Sequence, residues 1–210
     1  MNGKKKLFFV VVLFFATFSL QQTHAQSLTD LFNGLSKLLG STQENQQQVV
    51  KPVYPSTAEL LGTWVYSSPE MIYTGNDTLA SIAVSSVKGQ IPALANKFGI
   101  VPGTINADVT KKSIKAWRGE QKSTASYTYI PSTGQAIITG KFNDQKVILT
   151  GTVEVVNGGD LRILFKAKEL MTIVSQTSTF KENTSLQMIK EVIDSYPGIQ
   201  VGAVVKRVSK

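Results

Sequence analysis

The chain has 210 residues, a formal net charge of +8, one histidine and no cysteine. Without cysteine it has no disulfides, no thiolate metal site and no lipid-modified leader, so a hydrophobic core alone must hold the fold. The single histidine, His24, falls in the leader described next, which removes Ser-His-Asp catalysis, Cys-His catalysis and the usual zinc sites from the functions open to the chain.

Lys4, Lys5 and Lys6 form a basic start, and residues 7–20 form an apolar stretch too short to span a bilayer comfortably. Thr23 and Ala25 place small residues three before and one before a cut, so residues 1–25 read as a signal peptide that leaves Gln26 first. The expectation is an exported protein, periplasmic or extracellular and not a lipoprotein, with no transmembrane span in the mature chain. Loss of the three leader lysines, with no acid lost, takes the net charge from +8 to +5. That balance is mildly basic and excludes a dense nucleic-acid stripe. Lys111, Lys112, Lys115, Arg118 and Lys122 lie close in sequence, but on strands they alternate between faces and read as a solvated surface.

Residues 26–40 hold an amphipathic helix. Leu28, Leu31, Phe32, Leu35, Leu38 and Leu39 fall at helical spacing, Ser27 with Asp30 makes a capping signal, and Gly40 stops it. Its apolar face either docks on the domain or engages a protein or envelope partner. Its polar face carries one lysine, Lys37, where a membrane-surface helix is usually basic. Residues 41–56, rich in glutamine and carrying Pro52 and Pro55, read as a linker. The folded domain is expected over 57–210.

Within it, residues 56–60 read as a helical turn and 61–67 as a strand stopped by Pro69. Residues 77–98 take a helical period that Gly89 and Pro92 interrupt, which predicts a kink or two helices. Strands follow at 105–110, 113–118, 123–130, 135–142, 146–156 and 160–166, separated by turn segments such as PSTG and NGG. Val147, Leu149, Gly151, Val153 and Val155 alternate with polar residues, Ile148 excepted, so one face is buried and one is wet. Helices at 167–178 and 185–196 precede a last strand at 199–208. About eight strands with short connections make the chain mainly β, and an antiparallel barrel whose last strand meets its first removes the open edges.

Gly62-Thr63-Trp64 on the first strand, followed by a meander and a closing strand, resembles the lipocalin and calycin barrels. In those barrels the tryptophan packs at the closed end beneath a basic residue from the end of the chain. Arg207 matches that position best and Arg162 second. The layout is more similar to an uncharacterised lipocalin-like family of secreted proteins from Bacteroides-group bacteria. Its L-x-G-T-W-x-Y start is here Leu60 to Tyr66, its helical insertion ends at Lys97-Phe98-Gly99-Ile100, and its L-x-L-L-F-x-A strand is here Leu161 to Ala167, with Ile163 third. The resemblance implies an eight-stranded lipocalin-like barrel with helices after the first strand and before the last. It implies no activity.

Tyr127 and Tyr129 share one face of their strand, and Trp117 is placed at a barrel mouth by its wet neighbours Lys115 and Arg118. If the barrel holds a cavity, these three are the candidate ligand-binding residues. Gly140, Gly151, Ala125 and Ala136 either leave room inside or permit tight bends. An eight-stranded barrel stands at the boundary between a filled and a ligand-holding interior. No pair of acids has the spacing of a two-carboxylate hydrolase, and VNGGD lacks the lysine and following helix of a phosphate loop. No enzymatic activity, metal or cofactor is expected. Two readings stand: a carrier of a small apolar molecule, or a solid barrel whose segment 27–39 engages a partner.

Overall fold

The structure, a computed structural model, describes residues 51–89, 91–97, 99–142, 145–176 and 184–208. The expected signal peptide, the helix of residues 26–40 and most of the linker lie outside the described residues. Strands β1 (Gly62–Tyr73), β2 (Asn106–Val109), β3 (Ser113–Arg118), β4 (Gln121–Ile130), β5 (Gln135–Phe142), β6 (Gln145–Val156), β7 (Asp160–Lys166) and β8 (Ile199–Arg207) pair antiparallel in chain order and close into a barrel. The β6–β7 turn places Asn157, Gly158 and Gly159 at positive φ, a region that glycine and asparagine enter most readily.

Two departures from the sequence reading have local causes. β1 does not stop before Pro69 but continues to Tyr73, with a register shift between Tyr66 and Ser68. Beyond that bulge β1 pairs with β8 alone, so it has the free edge that a proline in a strand requires. β7 and β8 are also not wet on one face: Leu164 and Val204 are buried although their neighbours Phe165 and Val205 are buried on the opposite side. Their runs, ILF and VGAVV, have the continuous apolar character of strands covered on both faces. β6 keeps its alternation, with Leu149 and Val153 buried and Ile148 56 % exposed.

Of the helices, α1 (Thr57–Leu60) precedes β1, α2 (Thr78–Lys88) and α3 (Ile91–Lys97) connect β1 to β2, and α4 (Ala167–Val174) and α5 (Thr184–Ser195) connect β7 to β8. The expected interruption resolves into two helices, with Pro92 in the first turn of α3, where its missing N–H costs nothing. α4 ends at Val174, short of the expected residue 178. In an antiparallel barrel β1 and β7 run the same way, so both helical connections leave the same end. Val84, Ile91, Leu170, Met171 and Ile193 from these helices join Tyr66, Met71 and Val201 of the barrel in one core.

The opposite end is closed by Trp64, which packs with Leu60, Ala136, Val153, Leu161 and Val205. Its indole N–H donates to the Leu60 carbonyl at 2.9 Å. The Arg207 guanidinium lies 4.3 Å above the indole centroid and donates to the Leu61 carbonyl at 2.8 Å and to that of Glu59. Arg162 instead bonds Glu154 across β6 and β7, Nε to Oε2 at 2.9 Å. Gly62 adopts φ +127, and a Cβ there would meet Arg207 Nη1 at 2.8 Å, so the glycine both makes the bend and leaves room for the arginine. Ser56 caps α1 reciprocally with Glu59, whose own carboxyl is held below its ordinary range first by the Ser56 backbone N–H. The guanidinium then meets the carbonyl end of this short helix, the end that favours a cation.

Stacking and charged hydrogen bonds at a partly exposed site predict that Arg207→Ala costs about 1–2 kcal/mol. The thermal midpoint should fall by about 3–6 °C. Arg207→Lys should recover less than half of that, since an ammonium cannot stack and fork at once. Calorimetry of both variants checks it, and an unchanged midpoint for the alanine variant would show that this contact does not hold the barrel closed.

Candidate functional site

Between the tryptophan end and the helical end the barrel keeps a cavity of about 110 Å³. Small side chains make it: Ala107 on β2, Ala116 on β3, Ala136 on β5 and Ala203 on β8 point inward where larger residues would fill the axis. Ile114, Ile138, Val153 and Phe165 supply its walls, Trp64 and Leu60 its floor, and Leu170 of α4 reaches it from the helical end. The lining is apolar apart from Tyr127 and the indole, and it contains no charged side chain.

The structure separates the three expected ligand-binding residues. Tyr127 lines the cavity, but its hydroxyl donates to the Thr110 carbonyl at 2.8 Å. Tyr129, two residues on and facing the same way, packs beside the Trp64 cluster outside the cavity lining. Its hydroxyl donates to the Pro55 carbonyl at 2.7 Å and so pins the segment entering the domain. Each hydroxyl is therefore engaged with backbone. Trp117 is placed differently from the expectation: β3 turns Ile114 and Ala116 inward, so strand parity puts Trp117 on the outer face beside Lys115 and Lys122. Wet neighbours marked an outer face rather than a barrel mouth.

Of the small residues noted in the sequence, only Ala136 opens the cavity. A Cβ on Gly151 would run into the Leu164 carbonyl and meet the Phe165 ring at 2.7 Å, so that glycine lets the backbone and phenylalanine of β7 approach. Ala125 is buried in the core under the helices and lies outside the lining, as does Gly140. Ala107, Ala116 and Ala203 were legible as strand alanines once the barrel is assumed, since all three share parity with buried neighbours. Leu170 carried no such signal, because its approach to the axis depends on how α4 docks.

Burial pushes the phenols of Tyr66 and Tyr129 up to about 12, helped at Tyr129 by the negative charge of Glu59, and raises that of Tyr127. Tyr66 is 2 % exposed and its hydroxyl has no hydrogen-bond partner among the described residues. A phenol pKa raised on folding stabilises the fold fully below its unfolded value near 10 and loses that contribution as pH climbs through the folded value. Stability should therefore fall between about pH 10 and pH 12, with late-titrating phenols in the 295 nm absorbance. Urea midpoints of Tyr129→Phe should fall less steeply over that window. Tyr66→Phe, which removes an unpaired hydroxyl, should leave stability at pH 7 unchanged or raise it by about 1 kcal/mol.

Among the described residues no helix is long and apolar enough to cross a membrane, and no group of three His, Cys, Asp or Glu residues is placed to hold a metal ion. No curated protein and no solved structure matches the chain. A family model does match, over residues 35–207, and it includes the tryptophan clasp, both helical insertions and every strand of the barrel. By that match the chain belongs to the lipocalin-like domain family (DUF4923).

Proposed function

We propose that the protein is a non-enzymatic carrier of a small, uncharged, apolar molecule held inside the barrel. The observation that supports this is the apolar cavity of about 110 Å³. Its walls offer no charge and no free hydroxyl, so a ligand is held by burial alone. A cavity of ~150 Å³ with aliphatic walls stays dry and takes a benzene-sized guest, whereas drug-sized ligands occupy about 300–1,000 Å³. The fitting ligand is thus a single ring, a short branched chain or the tip of a longer one. Burying about 200 Å² of such a molecule is worth about 5 kcal/mol, which places Kd on the order of 10⁻⁴ M.

Export to the periplasm or the exterior of a Bacteroides-group cell belongs to the same proposal and rests on the leader pattern of residues 1–25. The absence of catalysis rests on the residue inventory: without His or Cys beyond residue 25, the chain lacks the usual nucleophile activators. The modest cavity volume favours one competing reading, a barrel that is functionally solid and whose segment 27–39 engages a protein or envelope partner.

Titration with benzene, toluene and indole, followed by methyl NMR shifts, separates the two. The carrier reading expects saturable shifts confined to residues such as Ile138, Val153 and Leu170. Ala136→Leu, which puts three carbons into the void, should weaken binding at least tenfold while stability holds or rises. Native mass spectrometry of protein purified gently from its own envelope fraction should then show an organic-extractable small molecule. A clean apo mass with no response to any of the three probes would overturn the carrier reading.

A further inference from the structure

The outer face of the same sheet carries a second concavity, of about 630 Å³, centred on Trp117. Two adjacent rows of side chains run across the strands there. In one, Thr63, Asp108, Lys115 and Thr124 stand opposite one another across β1 to β4, and in the next, Trp117 stands beside Lys122. The indole is half-buried on the outer face, in a polar neighbourhood where core packing does not require it.

Several of the polar side chains around it make no bond to one another among the described residues. Asp108 and Lys115 are direct cross-strand partners, a placement in which opposite charges ordinarily pair, yet they form no ion pair. Among the described residues the side chains of Thr63, Lys122 and Thr124 and the Trp117 indole N–H make no hydrogen bond within the protein either. A carboxylate acceptor, two ammonium donors, two hydroxyls and an indole N–H thus converge on one groove with their hydrogen-bonding capacity unspent.

We propose that this groove binds a saccharide. A pyranose ring has an apolar C–H face that stacks on an indole, and a rim of hydroxyls, each both donor and acceptor. A carboxylate and an ammonium on opposite sides of an aromatic plate meet that rim, and charged groups make the stronger hydrogen bonds. The volume accommodates about two sugar units by comparison with ligand pockets of about 300–1,000 Å³. With two lysines to one aspartate, sugars carrying a carboxylate bind more tightly than neutral ones. The site is separate from the barrel interior and does not rest on the carrier reading.

The test uses tryptophan fluorescence and calorimetry with oligomers of glucose, N-acetylglucosamine and galacturonate. Trp64 is 3 % exposed beneath Arg207, so a groove ligand perturbs Trp117 alone. At least one oligomer should shift the emission saturably at micromolar to millimolar concentration. Trp117→Ala should lower the affinity at least tenfold, Trp117→Phe a few-fold, and Asp108→Ala several-fold with circular dichroism unchanged. No response to any oligomer at 10 mM, or binding that survives both Trp117→Ala and Asp108→Ala, would overturn the proposal. So would a Trp117 shift produced only by anionic phospholipid vesicles, which would make the groove a membrane contact.

Discussion

The barrel exists because its first and last strands meet, and one side chain from each makes that meeting specific. Trp64 of β1 fills the end opposite the helical insertions, and Arg207 of β8 lies across its ring while binding the carbonyls of Glu59 in α1 and of Leu61 just before β1. The hydrophobic term closes the end, and the guanidinium sets the register of closure, since a two-residue slip would carry it off both the ring and the carbonyls. Gly62 makes the arrangement possible, because any larger residue there would occupy the space of the guanidinium. The cost is kinetic: pairing residues near 64 with residues near 207 is a long-range closure, which slows folding relative to the local hairpins of β2 to β7.

The helices answer a different constraint. A barrel end left open would expose the apolar side chains of Met71, Phe165 and Val201, and tryptophan is not available to cover it. Two insertions supply the cover, one from each connection that leaves this end, and their joint core is larger than the tryptophan cluster. Where the two packed ends do not meet, the axis is lined by alanines, and the cavity is what remains. Its size is therefore set by two independent docking events, α1 with Trp64 below and α4 above.

The repeated strands were legible because each obeys a period of two and ends in turn residues: β3, β5 and β7 have the boundaries that the sequence pattern predicts. The extension of β1 was not, because Pro69 is a local stop signal that only the loss of a neighbouring strand cancels. The buried outer residues Leu164 and Val204 were missed for a related reason, since an apolar run does not say which face has a cover. At the site the period put Tyr127 and Tyr129 on one face without saying which, and it could not reveal that the Tyr127 hydroxyl would be spent on Thr110. Trp117 was assigned from the polarity of its neighbours, and parity relative to Ile114 and Ala116 was the stronger signal.

The two tryptophans show how far parity governs chemistry in so thin a wall. Trp64 faces inward, where its N–H finds the Leu60 carbonyl and its ring becomes packing. Trp117, on the outer side of β3, has no partner for its N–H among the described residues, and neither have the neighbouring Asp108 and Lys122 side chains. Only one strand's backbone lies between the inner cavity and the outer groove, and Ala116 borders both. A larger residue at 116 would fill the interior and press the strand outward, so the alanine sets the dimensions of two sites at once. The cavity and the groove are thus two faces of one strand, with Ala116 in the wall that they share.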